Sequence, residues 1–169
     1  MAKIHLEKAF QSEFTIAVKK ILRYKKIDFV YHKIPDNTFL GNFRIQNPYD
    51  CYCRFEGQHW SIELKTTVTL KAFNFTQLFK KREHELLFLE AEKRAGGKSY
   101  VVVRQYIKKH NICRAFVIEI DKAREYHIRG KIPLTEIEKN NLEIFKIRKT
   151  MQQGFKRETF WDLEEFFNL

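Results

Sequence analysis

Hydrophobic and polar positions recur with two different periods along the chain, and these periods predict helices and strands. From Leu6 to Tyr24, apolar residues follow the i, i+4, i+7, i+8 spacing of one helix face, which predicts an amphipathic helix. From about His59 to Thr66 every second residue is apolar, which predicts a strand with two unlike faces. Its apolar positions are Trp60, Ile62 and Leu64, and its polar positions are Ser61, Glu63 and Lys65.

The same periods, with Gly and Pro as breakers, predict the remaining elements. Further strands are expected at Phe29–Ile34, Asp50–Phe55, Ser99–Val103, Arg114–Ile120 and Leu142–Ile147. Helices are expected from a cap at Thr76 to Arg94, near Pro133–Glu136, and after a cap at Thr159. Residues 36–48 are rich in Asp, Asn, Gly and Pro and are expected to form an irregular excursion, and Glu56–Gln58 a tight turn.

This order of elements predicts one α/β domain over residues 1–169, with a mixed β-sheet flanked by helices. Its core is expected at about residues 6–120, and residues from about 121 to 169 are expected to form a C-terminal extension. The chain is 44% hydrophobic and contains 16 Phe, which is enough to bury a sizeable core.

The termini and apolar runs bear on the cellular compartment. No run of residues approaches the 18 or so apolar positions that a membrane helix needs. Met1–Glu7 carries charges where a signal peptide would need an apolar stretch, so we expect a cytoplasmic protein without a membrane partner. The three Cys are expected to be reduced thiols, since their number is odd, and they lack the ligand pairs of a zinc site.

The chain is strongly basic, with 32 Lys and Arg against 21 Asp and Glu, a net charge of +11. A basic surface attracts polyanions, so nucleic acid is the first candidate partner. An acidic membrane surface is the second, but no long, basic, Trp-flanked amphipathic helix favours it. The chain has no Gly-rich phosphate loop, which argues against nucleotide hydrolysis.

Three residues fit the chemistry of phosphodiester hydrolysis. A divalent ion on two or three carboxylates can neutralise the phosphate and generate hydroxide, and a nearby Lys can orient the water. Glu63 and Lys65 share one strand face, and a hairpin can bring Asp50 beside Glu63. The carbonyl of Leu64, between them, is a possible extra metal ligand. Glu-x-Lys alone is common and usually marks a solvated strand face, so the inference depends on its context.

That context resembles a known superfamily. The runs Asn47-Pro48-Tyr49-Asp50 and Ile62-Glu63-Leu64-Lys65-Thr66-Thr67 look like the PD-(D/E)xK motif of restriction-endonuclease-like nucleases. Phe73-Asn74-Phe75-Thr76-Gln77 resembles the segment after the motif in RecU-type Holliday-junction resolvases. The likeness covers about Glu7 to Ile120 and is sharp between Lys33 and Gln77. It implies a restriction-endonuclease-like fold and a homodimer that nicks opposed strands of a four-way DNA junction, using Mg²⁺ or Mn²⁺.

The resemblance also implies residue roles. Asp50 and Glu63 would bind the metal, and Lys65 would assist the attacking water. Glu13 would match the acid of the first helix and Gln77 the Gln after the motif, although each can equally be a solvated helix residue. Tyr49 separates Pro48 from Asp50 and breaks the literal motif, and the excursion from Pro35 to Asn47 is shorter than the stalk of the bacterial resolvases. The short stalk leaves junction specificity open.

A basic run follows the motif on the predicted helix and is formed by Lys80, Lys81, Arg82 and His84. Such a run is usually a solvated face, but beside a phosphate site we expect it to contact the DNA backbone. Three functions therefore remain in competition. They are a metal-dependent junction resolvase, a restriction-like or repair nuclease of the same fold, and a non-catalytic basic module that binds nucleic acid.

Overall fold

The structure is a computed structural model that describes residues 2–34, 39–40, 43–44, 47–150 and 157–169. Its main sheet has seven strands, in the spatial order β1 (Phe29–Lys33), β4 (Cys51–Phe55), β5 (Gln58–Thr67), β7 (Lys98–Ile107), β8 (Ile112–Glu119), β10 (Leu142–Thr150) and β11 (Arg157–Trp161). Strands β5 and β7 are parallel, and the other neighbouring strands are antiparallel. Two small sheets pair β2 (Phe39–Leu40) with β3 (Phe43–Arg44), and β6 (Ala72–Asn74) with β9 (Lys131–Pro133).

Helices cover both faces of the main sheet. They are α1 (Ala2–Tyr24), α2 (Phe75–Leu78), α3 (Glu83–Arg94), α4 (Ile120–Arg129), α5 (Leu134–Asn140) and α6 (Glu164–Phe167). Helix α1 contacts β5 and β11 on one face, and α3 and α4 contact β7 on the other. The prediction of a mixed α/β fold with a sheet flanked by helices is thereby confirmed.

Strand β5 lies between two separate hydrophobic cores. Trp60, Ile62 and Leu64 belong to the core beneath α1, together with Phe10 and Phe14 of that helix. The alternate residues of β5 point to the opposite face, where α3 and α4 cover a second core. The hairpin that carries β5 has its predicted tight turn, since Glu56 and Gly57 both have positive φ, 49° and 74°.

The predicted helix from Thr76 to Arg94 is wrong in its continuity, because two helices occupy that segment. The cap of α2 is Asn74 rather than Thr76, since its Oδ1 accepts the N–H of Gln77 at 3.0 Å. Helix α2 ends at Leu78, and Lys81 then adopts a left-handed φ of 63°, which interrupts the helical backbone before α3 begins at Glu83. The break places Lys80 and Lys81 of the basic run before α3, whereas Arg82 is the N-cap of α3 and His84 lies in its first turn.

The C-terminal third departs most from the prediction. Thr159 does not cap a helix but lies in β11, opposite Arg148 of β10, and the last helix begins at Glu164. Thr, Phe and Trp favour strands, and the burial of Phe160 and Trp161 in the core beneath α1 stabilises the strand conformation. Helix α4 and strand β11 had no counterpart in the prediction, and β7 extends to Ile107 rather than Val103. Strands β10 and β11 extend the main sheet rather than lying outside it.

The excursion predicted for residues 36–48 falls partly outside the described residues. Within it the structure describes the β2–β3 pair, in which Phe39 lies opposite Arg44 and Leu40 opposite Phe43. The described residues resume at Asn47, and Asp50 leads into β4.

Candidate active site

Asp50 lies immediately before β4, at the point where that strand begins to pair with β5. Cys51 is opposite Ile62, so the next step in the register sets Asp50 against Glu63. Its carboxylate accepts the N–H of Leu64 at 2.8 Å and the Nε2 of Gln11 at 2.7 Å. The side chain thus satisfies a backbone donor of β5 at the end of the β4 ladder, and helix α1 fixes its orientation.

Glu63 and Lys65 form a buried charged group with Glu85 of α3. Glu63 is 1% exposed, Lys65 2% and Glu85 7%. The Lys65 Nζ donates to Glu63 Oε1 and, at 2.6 Å, to Glu85 Oε2, and it lies 5.2 Å from the centre of the Phe79 ring. One ammonium is therefore shared by two carboxylates beneath α3 and balances the charge of only one of them, so the group is short of positive charge in a place far from water.

Burial and neighbouring charges shift the pKa values of Glu63, Asp50 and Lys65. Burial raises the pKa of Glu63 to about 8, although Lys65 opposes the shift. Burial and then repulsion from Glu63 raise the pKa of Asp50 well above its ordinary value. For Lys65, burial disfavours the charge, but attraction by Glu63 and Glu85 outweighs it and raises the pKa. The two acids therefore repel each other and would both ionise more easily beside added positive charge.

Arg82 lies at the rim of this group and joins two helices across it. Its Nη1 lies 3.5 Å from Glu7 Oε1 on α1 and 3.6 Å from Glu85 Oε1 on α3. Its side chain is 54% exposed, so the guanidinium faces both the buried acids and solvent. Glu7 also raises the pKa of Asp50 and Glu63, after the larger effects of burial and of nearer charges.

The structure places Glu13 away from this group. Its Oε2 lies 3.5 Å from Nη1 of Arg104, accepts the indole N–H of Trp161 at 3.2 Å and lies 2.9 Å from Nζ of Lys146. These partners belong to β7, β11 and β10, whereas Gln11 and Glu7 of the same helix lie toward Asp50. The structure therefore does not bring Glu13 together with Asp50 and Glu63, and Glu7 is the acid that α1 contributes there.

The remaining predicted residues lie on α2, at the start of α3 and in the segment between them. Gln77 is exposed on α2, outside the hydrogen bonds that join the acids. Lys80 and Lys81 are exposed in the segment between α2 and α3. His84 is half-buried, and burial is the main cause that lowers its pKa. Of the predicted basic run, only Arg82 contacts the buried acids.

Three residues around Asp50, Glu63 and Lys65 were not predicted, namely Glu7, Gln11 and Glu85. Glu7 and Gln11 are four positions apart on α1 and so share a face, a spacing visible in the sequence. Glu85 falls seven residues after Leu78 and four before Leu89, which places it within an apolar stripe. An acid in an apolar stripe signals a buried partner, and here that partner is Lys65.

The donors at Asp50 and Glu63 suit a hard cation in their chemistry. Carboxylate oxygens of Asp50 and Glu63, with the Leu64 backbone beside them, are the ligand type that Mg²⁺ and Mn²⁺ prefer. Across the described parts of the chain, no three or more His, Cys, Asp or Glu side chains come together as a ready metal site. A cation here would thus depend on two carboxylates, with water completing its shell.

Comparisons with known proteins add no family to this picture: neither a protein-family model nor a curated protein matches the chain. Among the described residues, no helix has both the length and the apolar character to cross a membrane.

Proposed function

We propose that the chain is a metal-dependent DNA endonuclease of the PD-(D/E)xK type, with Asp50, Glu63 and Lys65 at its reactive centre. The observation that carries the proposal is the hydrogen bond from the Leu64 N–H to Asp50 Oδ2, at 2.8 Å. It ties Asp50 to β5 at the residue between Glu63 and Lys65, which supports a site formed by all three side chains. The mixed sheet flanked by helices is compatible with a restriction-endonuclease-like fold.

Each side chain has a distinct role in this proposal. Asp50 and Glu63 would hold Mg²⁺ or Mn²⁺, which when bound would neutralise the phosphate and lower the pKa of water. Gln11 and the Leu64 amide hold the Asp50 carboxylate in one orientation. Lys65 offers a positive charge beside Glu63, where it can orient the attacking water and stabilise the developing negative charge.

The basic residues around the group supply the affinity for DNA. Arg82 at the rim, with exposed Lys80 and Lys81 beside it, can contact phosphates on either side of the bond to be cut. The net charge of +11 strengthens the same attraction over a longer range. We propose the four-way junction as substrate and a homodimer as the active form, both on the strength of the resemblance to RecU-type resolvases.

The test is cleavage of a labelled four-way junction by the purified full chain, in Mg²⁺ and in Mn²⁺. Asp50→Asn and Glu63→Gln are expected to lower the cleavage rate at least about a hundredfold while the junction is still bound. Asp28→Asn and Glu56→Gln are matched controls, because both acids are exposed, and they should cleave normally. Cleavage retained by either test variant would disprove the site assignment.

A second substrate separates the two nuclease hypotheses. A junction resolvase cuts the four-way junction in preference to a linear duplex of the same sequence, and sedimentation of the complex should show two chains per junction. A restriction-like or repair nuclease would cut the duplex as readily. Either result keeps the reactive centre and changes only the substrate.

A non-catalytic module that binds nucleic acid is the second candidate, and one observation favours it. Glu63 and Lys65 are almost fully buried and already neutralise each other, so this pair is balanced without a metal ion. This candidate predicts tight, salt-dependent DNA binding without cleavage in any divalent metal. The junction assay therefore decides between the two.

A further inference from the structure

Three aromatic rings stand in a row across the free end of the main sheet. His32 of β1, Tyr52 of β4 and His59 of β5 form this row, which we name the aromatic ladder. The ring centres of His32 and Tyr52 are 5.5 Å apart with 30° between planes, and those of Tyr52 and His59 are 5.4 Å apart with 28°. Each ring therefore stacks on the next across neighbouring strands.

The ladder lies on an open part of the sheet. Val30, two residues before His32 on the same face, is 58% exposed, and His32 and Arg54 are exposed as well. On the side of α3, Glu92 lies 3.5 Å from His59 and accepts the Tyr49 hydroxyl at 3.1 Å, and Tyr52 is partly buried against the core beneath that helix. The His59 end is thus held against α3, whereas the His32 end lies on the edge strand β1.

The ladder is continuous with the candidate active site. His59, Ser61 and Glu63 are alternate residues of β5 and share one face. Four residues of strand place the ladder about 13 Å from Glu63. A DNA strand whose phosphate reaches the acids would extend its neighbouring nucleotides across this surface.

The charge of the surface suits nucleic acid. Arg54 lies opposite Val30 in the β1–β4 register and on the ladder's face, and the chain as a whole carries +11. Glu92 lies beside the ladder at the end nearest α3, where it contacts His59 and accepts the hydroxyl of Tyr49. Aromatic rings with an Arg on an open sheet face are the combination that binds unpaired bases by stacking.

We propose that the aromatic ladder and Arg54 bind unpaired nucleotides of a DNA strand, one base stacking on the open His32 end and Arg54 contacting a phosphate. This inference rests on the proposed function, since it extends the path of the DNA from the same site. The partner is single-stranded DNA, such as the strand exposed where a duplex opens, rather than intact duplex.

The test measures binding of a fluorescently labelled oligothymidine, about 15 nucleotides long, by anisotropy without divalent metal. His32→Ala and Tyr52→Ala are expected to weaken binding about tenfold, whereas His32→Phe and Tyr52→Phe, which keep a ring, stay within about twofold of wild type. Arg54→Ala should also make the affinity less dependent on salt, because one phosphate contact is lost. His110→Ala removes an exposed His from the Lys108–His110 turn and is the matched control.

Several results would overturn the ladder proposal. They are wild-type protein that does not bind the oligonucleotide, a folded His32→Ala that binds like wild type, and Phe variants as weak as the Ala variants. Circular dichroism checks that each variant is folded. Failure of the nuclease proposal looks different: wild type would cut nothing in Mg²⁺ or Mn²⁺, yet His32→Ala would still lose affinity. If wild type cuts DNA and His32→Ala binds normally, the ladder proposal alone fails.

Discussion

The two faces of β5 are buried to the same degree, but they are buried for different reasons. On one face Trp60, Ile62 and Leu64 pack against α1 and its neighbours. On the other, Glu63 and Lys65 are 1% and 2% exposed, as inaccessible as the apolar residues. Apolar burial stabilises the fold, whereas burial of charges costs free energy that their pairing only partly offsets. Because the buried charges of β5 lower the stability of the fold, we expect them to be present for a function.

Trp60→Ala is the substitution expected to harm stability most. Trp60 stacks on Phe55 and Tyr100 and makes edge contacts with Phe166 and Phe167, so truncation leaves a large cavity. We expect the free energy of unfolding to fall by about 3–5 kcal/mol. Urea unfolding followed by circular dichroism measures it, with exposed Val68→Ala as control. If Trp60→Ala lowered the free energy of unfolding no more than Val68→Ala does, the apolar face would not stabilise the fold as described.

Lys65→Met tests the charged face by removing its only described cation at Glu63. The change leaves Glu63 and Glu85 buried without their partner, and we expect the free energy of unfolding to fall by about 3 kcal/mol. The triple variant Glu63→Leu, Lys65→Met, Glu85→Leu removes all three charges. Its free energy of unfolding should be at least that of wild type, because apolar packing replaces a desolvated ion group.

The triple variant also separates stability from activity. If it is stable and cuts no DNA, the charged face is kept for function. A triple variant as unstable as Lys65→Met would instead give these charges a structural role, and the contrast between the two faces would disappear. Urea titration measures the stability of each variant, and the junction assay measures its DNA cleavage.

The pH dependence of stability provides a third contrast. Burial raises the folded-state pKa of Glu63 from an ordinary 4.5 to about 8. A raised pKa favours folding below the ordinary value, and that contribution is lost as the pH rises through the folded value. Metal-free protein in a chelator should therefore lose stability between about pH 5 and about pH 8, and Glu63→Gln should flatten the curve. Parallel curves for the two proteins would exclude Glu63 as the cause.

Gln11→Ala is expected to have the smallest effect on folding. It removes one hydrogen bond, from Nε2 to Asp50 Oδ1, and should lower the free energy of unfolding by about 1 kcal/mol. If Gln11 orients a metal-binding carboxylate, cleavage should fall about ten- to a hundredfold, out of proportion to that loss. Ser12→Ala, at an exposed position of the same helix, is the control for both measurements.

The hairpin of the candidate site could be predicted from the sequence because its signals are local. The alternation along β5 and the turn at Glu56-Gly57 fix which side chains share a face, and both depend on neighbouring residues alone. The sequence alone therefore predicts that Asp50, Glu63 and Lys65 lie near one another.

The partners contributed by other elements were not predicted, because they depend on packing. Glu85 lies on the buried side of α3, but its contact with Lys65 depends on how that helix packs against β5, and no rule of spacing requires the left-handed Lys81 before it. Glu13 and Glu7 both lie on α1, and which of them faces Asp50 depends on how that helix is rotated against the sheet. Strand β11 forms by pairing with β10, a contact between segments that local propensity does not specify.

The most direct test of the central claim is calorimetric titration of Mn²⁺ into the purified chain. A pair of repelling buried acids kept for a cation should bind Mn²⁺ saturably, and release protons, because metal binding requires both carboxylates to be ionised. We expect wild type and Glu56→Gln to bind and Asp50→Asn and Glu63→Gln to lose the heat of binding. Equal binding by all four proteins, or no binding by wild type, would contradict the claim that Asp50 and Glu63 form a metal site.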